Sequence, residues 1–228
     1  MENISDAFKN GALNDVRIIC SDGIQVSSNR SFLAIRVPFF EKMFFGSFQN
    51  TVQDEVEFKS CDSRTFTNIL NYIWKGFLVL KHLSFSTLLN IMETSRLLCV
   101  DSLSKGIESH LVLRIEERKV SVCECFDALE FAASNKFDKL LKCLFVHLNR
   151  KHDTAETASR FESLTMVAVM ALLMVDFDEE AIEDIKFCFF LGWIKKNDVD
   201  PVRVVARSNT RWWPSSISKR AAAAPRAS

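Results

Sequence analysis

Hydrophobic and polar residues alternate in short stretches near the start of the chain. Residues 15–20 and 23–26 place their apolar side chains at every second position, and Asp22-Gly23 marks the point where the first run gives way to the second. Period-two alternation is typical of a strand with one buried face, and Asp-Gly between two such runs favours a hairpin. The pattern therefore predicts a hairpin, and the alternation from Glu55 to Phe58 predicts a further short strand.

In the rest of the chain up to Gly76, most apolar residues have helical spacing and predict helices. Residues 2–10 carry apolar side chains on one face. Pro38 divides residues 30–45 into two short helices, because the residue before a proline avoids the helical region. Asp62 is a suitable N-cap for an amphipathic helix, and Gly76 is a suitable end for it.

Beyond Gly76 the pattern becomes helical. Residues 77–80 favour one more short strand, and two helices follow near 84–99 and 101–115. From about residue 119 every apolar stripe has the helical period, including those over 161–175 and 181–196. Strands mixed with helices, followed by helices alone, predict an α+β domain and then an all-α domain.

Composition narrows the class of protein. Apolar residues make up 48% of the 228 residues, enough for one large or two small domains. Lys+Arg and Asp+Glu both number 29, so no net charge draws the chain to nucleic acid or to a membrane surface. The longest apolar run, Met166 to Val175, is about half of what a bilayer span requires and predicts a buried helix rather than a membrane segment.

Sulfur-containing side chains are the first candidates for chemistry. Seven cysteines stand singly in apolar segments, and the polar first residues do not resemble a secretory signal. We expect reduced thiols in an intracellular protein, with cytoplasm and nucleus not distinguished. Cys123 and Cys125 point to different helix faces and no second pair has zinc spacing, so we expect no metal. Met166, Met170 and Met174 share one helical stripe, where we favour core packing over a ligand groove.

The sequence lacks the common catalytic motifs, and its basic residues lie at one end without a folded nucleic-acid-binding module. The chain has no P-loop, nucleophile elbow, H-E-x-x-H or dinucleotide fingerprint. After Asp200 it has no acidic residue and carries several Arg and Lys with Trp212-Trp213, a combination that suits phosphate contact and stacking. No folded basic module accompanies these residues, and we interpret 201–228 as a basic, disordered tail.

A set of short motifs lies in order along the first half of the chain. They are Leu13-Asn14-Asp15-Val16, Asn29-Arg30-Ser31-Phe32-Leu33-Ala34, Pro38-Phe39-Phe40, Met43-Phe44 and Tyr72-Ile73-Trp74-Lys75-Gly76. Together they resemble the BTB/POZ domain, a protein-interaction fold, although Asn29 stands where that family usually has His. The resemblance covers roughly residues 3–112 and implies a small sheet with surrounding helices. It also implies a protein that is not an enzyme, with no catalytic residue and no cofactor.

The second half carries two further motifs, Ala128-Leu129-Glu130-Phe131-Ala132 and Gly192-Trp193-Ile194-Lys195. They resemble the BACK domain, the helical module that often follows BTB. We therefore divide the chain into a BTB/POZ domain at 1–115, a BACK-like helical domain at 116–200 and the tail at 201–228. Six glycines in the whole chain and a short stretch after Asp200 predict no kelch propeller here, although one follows in many BTB-BACK proteins.

The BTB resemblance implies a dimer interface near the start of the chain. The matching residues are Ile4, Ala7, Phe8, Leu13, Asp15 and Arg30. The apolar face of the first helix would pack either on a second copy or on its own domain. We favour the second copy, because a short terminal helix that carries Phe needs a partner surface. Asp15 and Arg30 would form either a buried charge pair or two solvated groups.

The resemblance also implies a possible contact with a cullin, the scaffold of RING ubiquitin ligases. Cullin-binding relatives carry an apolar residue and then, two positions later, Glu; the matching residues here are Phe48 and Asn50, which implies weak binding. We predict a self-associating protein-interaction adaptor or scaffold, with substrate adaptor of a cullin-RING ligase as its most specific role. The alternative is a BTB-dimerising regulator that contacts nucleic acid through the basic tail.

Overall fold

The structure, a computed structural model, describes residues 11, 13–46, 54–117, 119–150, 155–177 and 180–199. The helix predicted over 2–10 and the predicted tail therefore lie outside the described residues. The chain divides into two compact units, Met1–Glu124 and Cys125–Ser228. No comparison tests the domain boundaries drawn from the sequence, which stay predictions.

The described elements follow the predicted order of a mixed region and then helices alone. The strands are β1 (Val16–Cys20), β2 (Gln25–Ser28) and β3 (Glu55–Phe58). The helices up to residue 116 are α1 (Arg30–Arg36), α2 (Pro38–Phe45), α3 (Ser63–Lys75), α4 (Phe85–Leu97) and α5 (Asp101–Glu116). The later helices are α6 (Val122–Asn135), α7 (Asp138–Arg150), α8 (Ala155–Phe161), α9 (Met166–Met174) and α10 (Glu180–Asn197). This confirms the predicted fold class, a small sheet with surrounding helices followed by a helical region.

The sheet has the strand order β2-β1-β3, with β1 antiparallel to β2 and parallel to β3. The predicted hairpin is confirmed, although β2 begins at Gln25, later than the alternation suggested. Gly23 takes a φ of 76° at the turn, where its N–H donates to the Cys20 carbonyl at 3.0 Å. Glycine adopts this left-handed conformation without steric cost, which is why the turn forms here.

The helix pair α1–α2 is divided as the proline predicts. Val37 lies between the two helices in an extended conformation with φ −133° and ψ 106°, and Pro38 opens α2 at its first position. Proline is well suited to that position, because its missing N–H would have no partner inside the helix. Phe40 and Phe44 of α2 are buried, with their rings stacked at 5.5 Å.

Two sequence predictions of secondary structure are wrong. Residues 77–80 form no strand, and the segment leads into a 3-10 turn at Leu80–His82. Phe77 and Val79 belong to residue types that favour strands, but both side chains are exposed here. The helix predicted over 161–175 begins only at Met166 as α9, and Phe161 is instead the last residue of α8. Thr165 separates them, because its side chain caps α9 by accepting from the Ala168 N–H.

Each unit has its own aromatic core. In the first, Phe58 and Phe66 lie 5.7 Å apart, and both contact Phe40. In the second, the Phe161 ring lies 4.9 Å from Phe126 and 5.7 Å from Phe145. The many phenylalanines of the chain therefore supply packed rings in each unit, and their edge-to-face contacts add to the burial of their area.

Candidate interaction surface

Side chain to backbone hydrogen bonds tie the segment before β1 to the start of α1. Asn29 Nδ2 donates to the Leu13 carbonyl at 2.7 Å, and Asn29 Oδ1 accepts from the Phe32 N–H at 2.9 Å. The Asp15 carboxylate accepts from the Arg30 N–H at 2.7 Å. The structure thus brings together three residues of the predicted interface, Leu13, Asp15 and Arg30.

Asp15 and Arg30 are joined through the Arg30 backbone. The Arg30 guanidinium lies 3.7 Å from an Asp54 carboxylate oxygen and 5.7 Å from the centroid of the Phe44 ring beneath it. The Arg30 side chain is only 14% exposed, whereas Asp15 is exposed. A cation over an aromatic face is stabilised by the ring quadrupole, so Phe44 helps to hold Arg30 in place.

The rest of the predicted interface lies outside the described residues. This applies to Ile4, Ala7 and Phe8 of the predicted first helix, and to the cullin-contact candidates Phe48 and Asn50. Their roles therefore stay predictions. Asn29, by contrast, is a residue whose importance the sequence analysis missed. Its place directly before a helical run was the available signal, since Asn is among the best N-cap residues.

Several large apolar side chains of the first unit are exposed. The most exposed is Ile35 on α1, at 81%. The others are Leu13, Ile24, Phe45, Phe77, Val79, Leu97 and Leu113. Single exposed apolar residues are normal on a protein surface. Leu13 is of interest because its carbonyl accepts from Asn29, the residue that directly precedes Arg30 of the predicted interface.

A shallow groove of about 760 Å³ follows the outer face of β1 and β3. Its lining is Arg17, Ile19, Met43, Asp54, Glu55, Val56 and Glu57. Arg17 and Glu55 form an ion pair at 3.0 Å with both side chains about half exposed, so the pair contributes little stability. Charged side chains on an edge strand discourage pairing with another strand. We therefore interpret this groove as a protected sheet edge.

The methionine stripe of the second unit lies on a groove and not wholly in the core. Met166 and Met170 are half-buried, and Met174 is 63% exposed. The preference for core packing is therefore wrong for Met174. Helical spacing could not reveal this, because it identifies a shared face without showing what covers that face.

The buried thiols of the first unit are poor nucleophiles. Burial raises the pKa of Cys20 to about 11 and that of Cys61 to about 12, with nearby Asp22 and Asp62 adding to the shift for both. A thiol that stays protonated at neutral pH neither attacks nor ligates readily. Each of the seven cysteines lies among the described residues, and none forms a disulfide bond.

Two further properties concern only the part of the chain that the structure describes. It holds no group of three or more His, Cys, Asp or Glu residues arranged to bind a metal ion. None of its helices combines the length and apolar character required to cross a bilayer.

Comparison with known proteins identifies a family for the first half of the chain. The family model for the BTB/POZ domain matches residues 4–114. Kelch-like protein 38 of Mus musculus is 27% identical over 130 residues, which are 57% of this chain and 21% of that protein. The chain thus spans about a fifth of the length of this curated relative.

Among solved structures, the chain is similar to the BTB (Tramtrack and Bric a brac) domain of human gigaxonin. The two share 17% sequence identity with a TM-score of 0.36, over 47% of this chain and 92% of that one. The family match spans all three described strands and α1 to α4 in full, with most of α5. Residues 4–114 are therefore assigned to the BTB/POZ domain family, and the helical region that follows is consistent with a BACK-like domain.

Proposed function

We propose that this protein is a non-enzymatic adaptor or scaffold that self-associates through its BTB/POZ domain. The observation that carries the proposal is the family match over residues 4–114. The hydrogen bonds that fix Leu13 and Asp15 against α1 add support, since they give the predicted interface a rigid base. A dimer would present two copies of each partner site and so raise the effective concentration of bound partners. We also propose that it acts inside the cell.

Self-association is tested with a charge at Leu13. Leu13 is 48% exposed, so Leu13→Asp should leave the fold intact while placing an unpaired charge in the proposed interface, where burial is strongly unfavourable. Leu113→Asp is the matched control, because Leu113 is exposed on α5 of the same unit. Sedimentation should show dimers for the wild type and for Leu113→Asp, and monomers for Leu13→Asp. A monomeric wild type at micromolar concentration would exclude the proposal.

The finer proposal is that the dimer is a substrate adaptor of a cullin-RING ubiquitin ligase, with weak cullin affinity because Asn stands at position 50. Asn50→Glu should strengthen binding to a cullin N-terminal domain. A charge-assisted hydrogen bond contributes about 1.5–3 kcal/mol, which corresponds to about one to two orders of magnitude in affinity.

Calorimetry measures this affinity directly. Gln49→Glu adds the same charge at the neighbouring position and should leave affinity nearly unchanged. Equal gains from both variants would indicate a general charge effect. No binding by any of the proteins would limit the function to scaffolding, and salt-dependent binding to nucleic acid would favour the alternative regulator.

A further inference from the structure

Helix α9 is apolar on every side. Its sequence from Met166 to Met174 contains no polar residue. Ala168, Val169 and Leu172 are buried, whereas Val167 is 54% exposed and lies on another side of the helix. A helix that is hydrophobic all round is normally covered all round. The outward side of α9 therefore lacks a cover among the described residues.

The outward side of α9 forms the floor of a groove of about 1290 Å³ within the second unit. The walls come from the end of α6, the start of α7 and the residues after α9 and α10. Its lining includes Met166, Met170 and Met174, together with Ala133, Leu141 and Val199. Methionine is flexible and polarizable, so a groove lined in this way adapts readily to an apolar segment.

We propose that this groove is the docking site of the chain's own segment 201–207, in place of the disorder predicted from the sequence for this first part of the tail. Val199 lines the groove, and the segment begins two residues later. An extended chain advances about 3.3 Å per residue, so residues 201–207 reach across the floor without a long connection. The proposed occupant is thus the segment that follows closely after Val199 in the chain and so begins near the edge of the groove.

The chemistry of the segment complements the groove. Val202, Val204 and Val205 offer apolar side chains to the methionines, and the segment's charged residues are Arg203 and Arg207. The groove carries two acidic residues at its rim, Asp138 and Asp176, alongside Lys136 and Lys142. Because the rim has both signs of charge, burial of the valines supplies the attraction. Asp138 is the carboxylate that we assign to the arginines as a partner.

Covalent connection favours this occupant over a separate protein. A segment tethered by a short linker experiences an effective concentration in the millimolar range. Even weak docking is therefore well populated within one chain. A partner in solution would first have to displace the segment, so docking would also regulate access to the groove.

Hydrogen exchange measured by mass spectrometry on the full chain tests the proposal. Amides of residues 202–207 should exchange at least about tenfold more slowly than their sequence alone dictates, as expected for a docked segment. Met174→Lys should abolish this protection, because it places a charge on the floor and repels the arginines. Leu191→Lys is the matched control, since Leu191 is 48% exposed on α10 and does not line the groove.

A second variant keeps the test decisive if Met174→Lys disturbs α9. Val204→Asp changes only the segment and should also abolish the protection while α9 keeps the exchange rates of a folded helix. Unprotected amides at 202–207 in the wild type would overturn the proposal. So would protection that survives both variants, or protection that rises with protein concentration, which would identify a second copy as the occupant.

Discussion

At the scale of single residues, Asn29 makes two structural contacts with one side chain. It caps α1 through the Phe32 N–H and holds the Leu13 carbonyl. Asn29→Ala should reduce the free energy of unfolding by about 1 kcal/mol, the usual effect of losing an N-cap. Asn29→Asp keeps the oxygen that accepts from Phe32 but loses the N–H that donates to Leu13. It should therefore reduce the free energy of unfolding by less than Asn29→Ala does. Urea denaturation measures both; equal losses would show that the Leu13 contact matters more than the cap.

Asp22 should make the stability of the first unit sensitive to acid. Its carboxylate accepts from the Ser63 hydroxyl at 2.7 Å and from the Ser63 N–H at 3.1 Å, and these hydrogen bonds hold the pKa of Asp22 below its ordinary value of 3.8. A carboxyl with a lowered pKa contributes stability that is present above its ordinary pKa and is lost as the pH falls through the lowered value.

Asp22→Asn should therefore destabilise the protein at neutral pH, and the difference from the wild type should shrink as the pH falls below about 3.8. Urea denaturation across the acid range measures this difference. The same change at Asp127, an exposed residue of α6, serves as the control. A difference between Asp22→Asn and the wild type that stays constant with pH would mean that the Ser63 contact does not depend on the charge.

At the scale of elements, the sequence correctly predicted the helices, strands and turns that depend on neighbouring residues. The hairpin, the break before Pro38 and the helix between Asp62 and Gly76 each depend on residues close together in the chain. The amphipathic pattern predicted for α3 is confirmed, because Phe66 and Ile73 are buried. The parallel pairing of β3 with β1 was not predicted, because alternation identifies a strand without naming its partner.

The break between α8 and α9 shows why the remaining elements were missed. Thr165 is the N-cap of α9, and its backbone N–H donates to the Glu130 carboxylate at 2.7 Å. Glu130 lies on α6, 35 positions earlier in the sequence. No local pattern records such a contact. The candidate site divides in the same way. Motifs placed Leu13, Asp15 and Arg30 in one predicted interface, whose role stays a prediction, whereas the exposure of Met174 depends on how distant helices pack.

Two glycines should respond to alanine with opposite signs. Gly76 ends α3 with a φ of 77°, and an added Cβ would meet no atom within 4 Å. Gly76→Ala should therefore cost about 1 kcal/mol from backbone conformation alone. Gly106 lies inside α5 with equally open space, so Gly106→Ala should stabilise by about 0.5–1 kcal/mol. Thermal melting measures both, and a loss at Gly106 would mean that the added methyl meets a neighbour.

At the scale of the whole molecule, each unit has its own packed phenylalanines, and we expect a change in the core of one unit to leave the other unaffected. Trp193 is 4% exposed, and its Nε1–H donates to the Leu164 carbonyl at 2.8 Å. Both residues belong to the second unit. The sequence placed Trp193 on an apolar stripe of its helix, and its burial agrees with that placement.

Trp193→Ala should destabilise the second unit by about 3–5 kcal/mol, through lost burial and the cavity left behind. Trp193→Phe is the matched control: it keeps a ring but leaves the Leu164 carbonyl without its donor, for a smaller loss of about 1–3 kcal/mol. Hydrogen exchange resolved along the chain should show faster exchange in α9 and α10, and unchanged exchange in β1 and α3. Equal acceleration in both units would show that they unfold together, and no change anywhere would exclude Trp193 as a core residue.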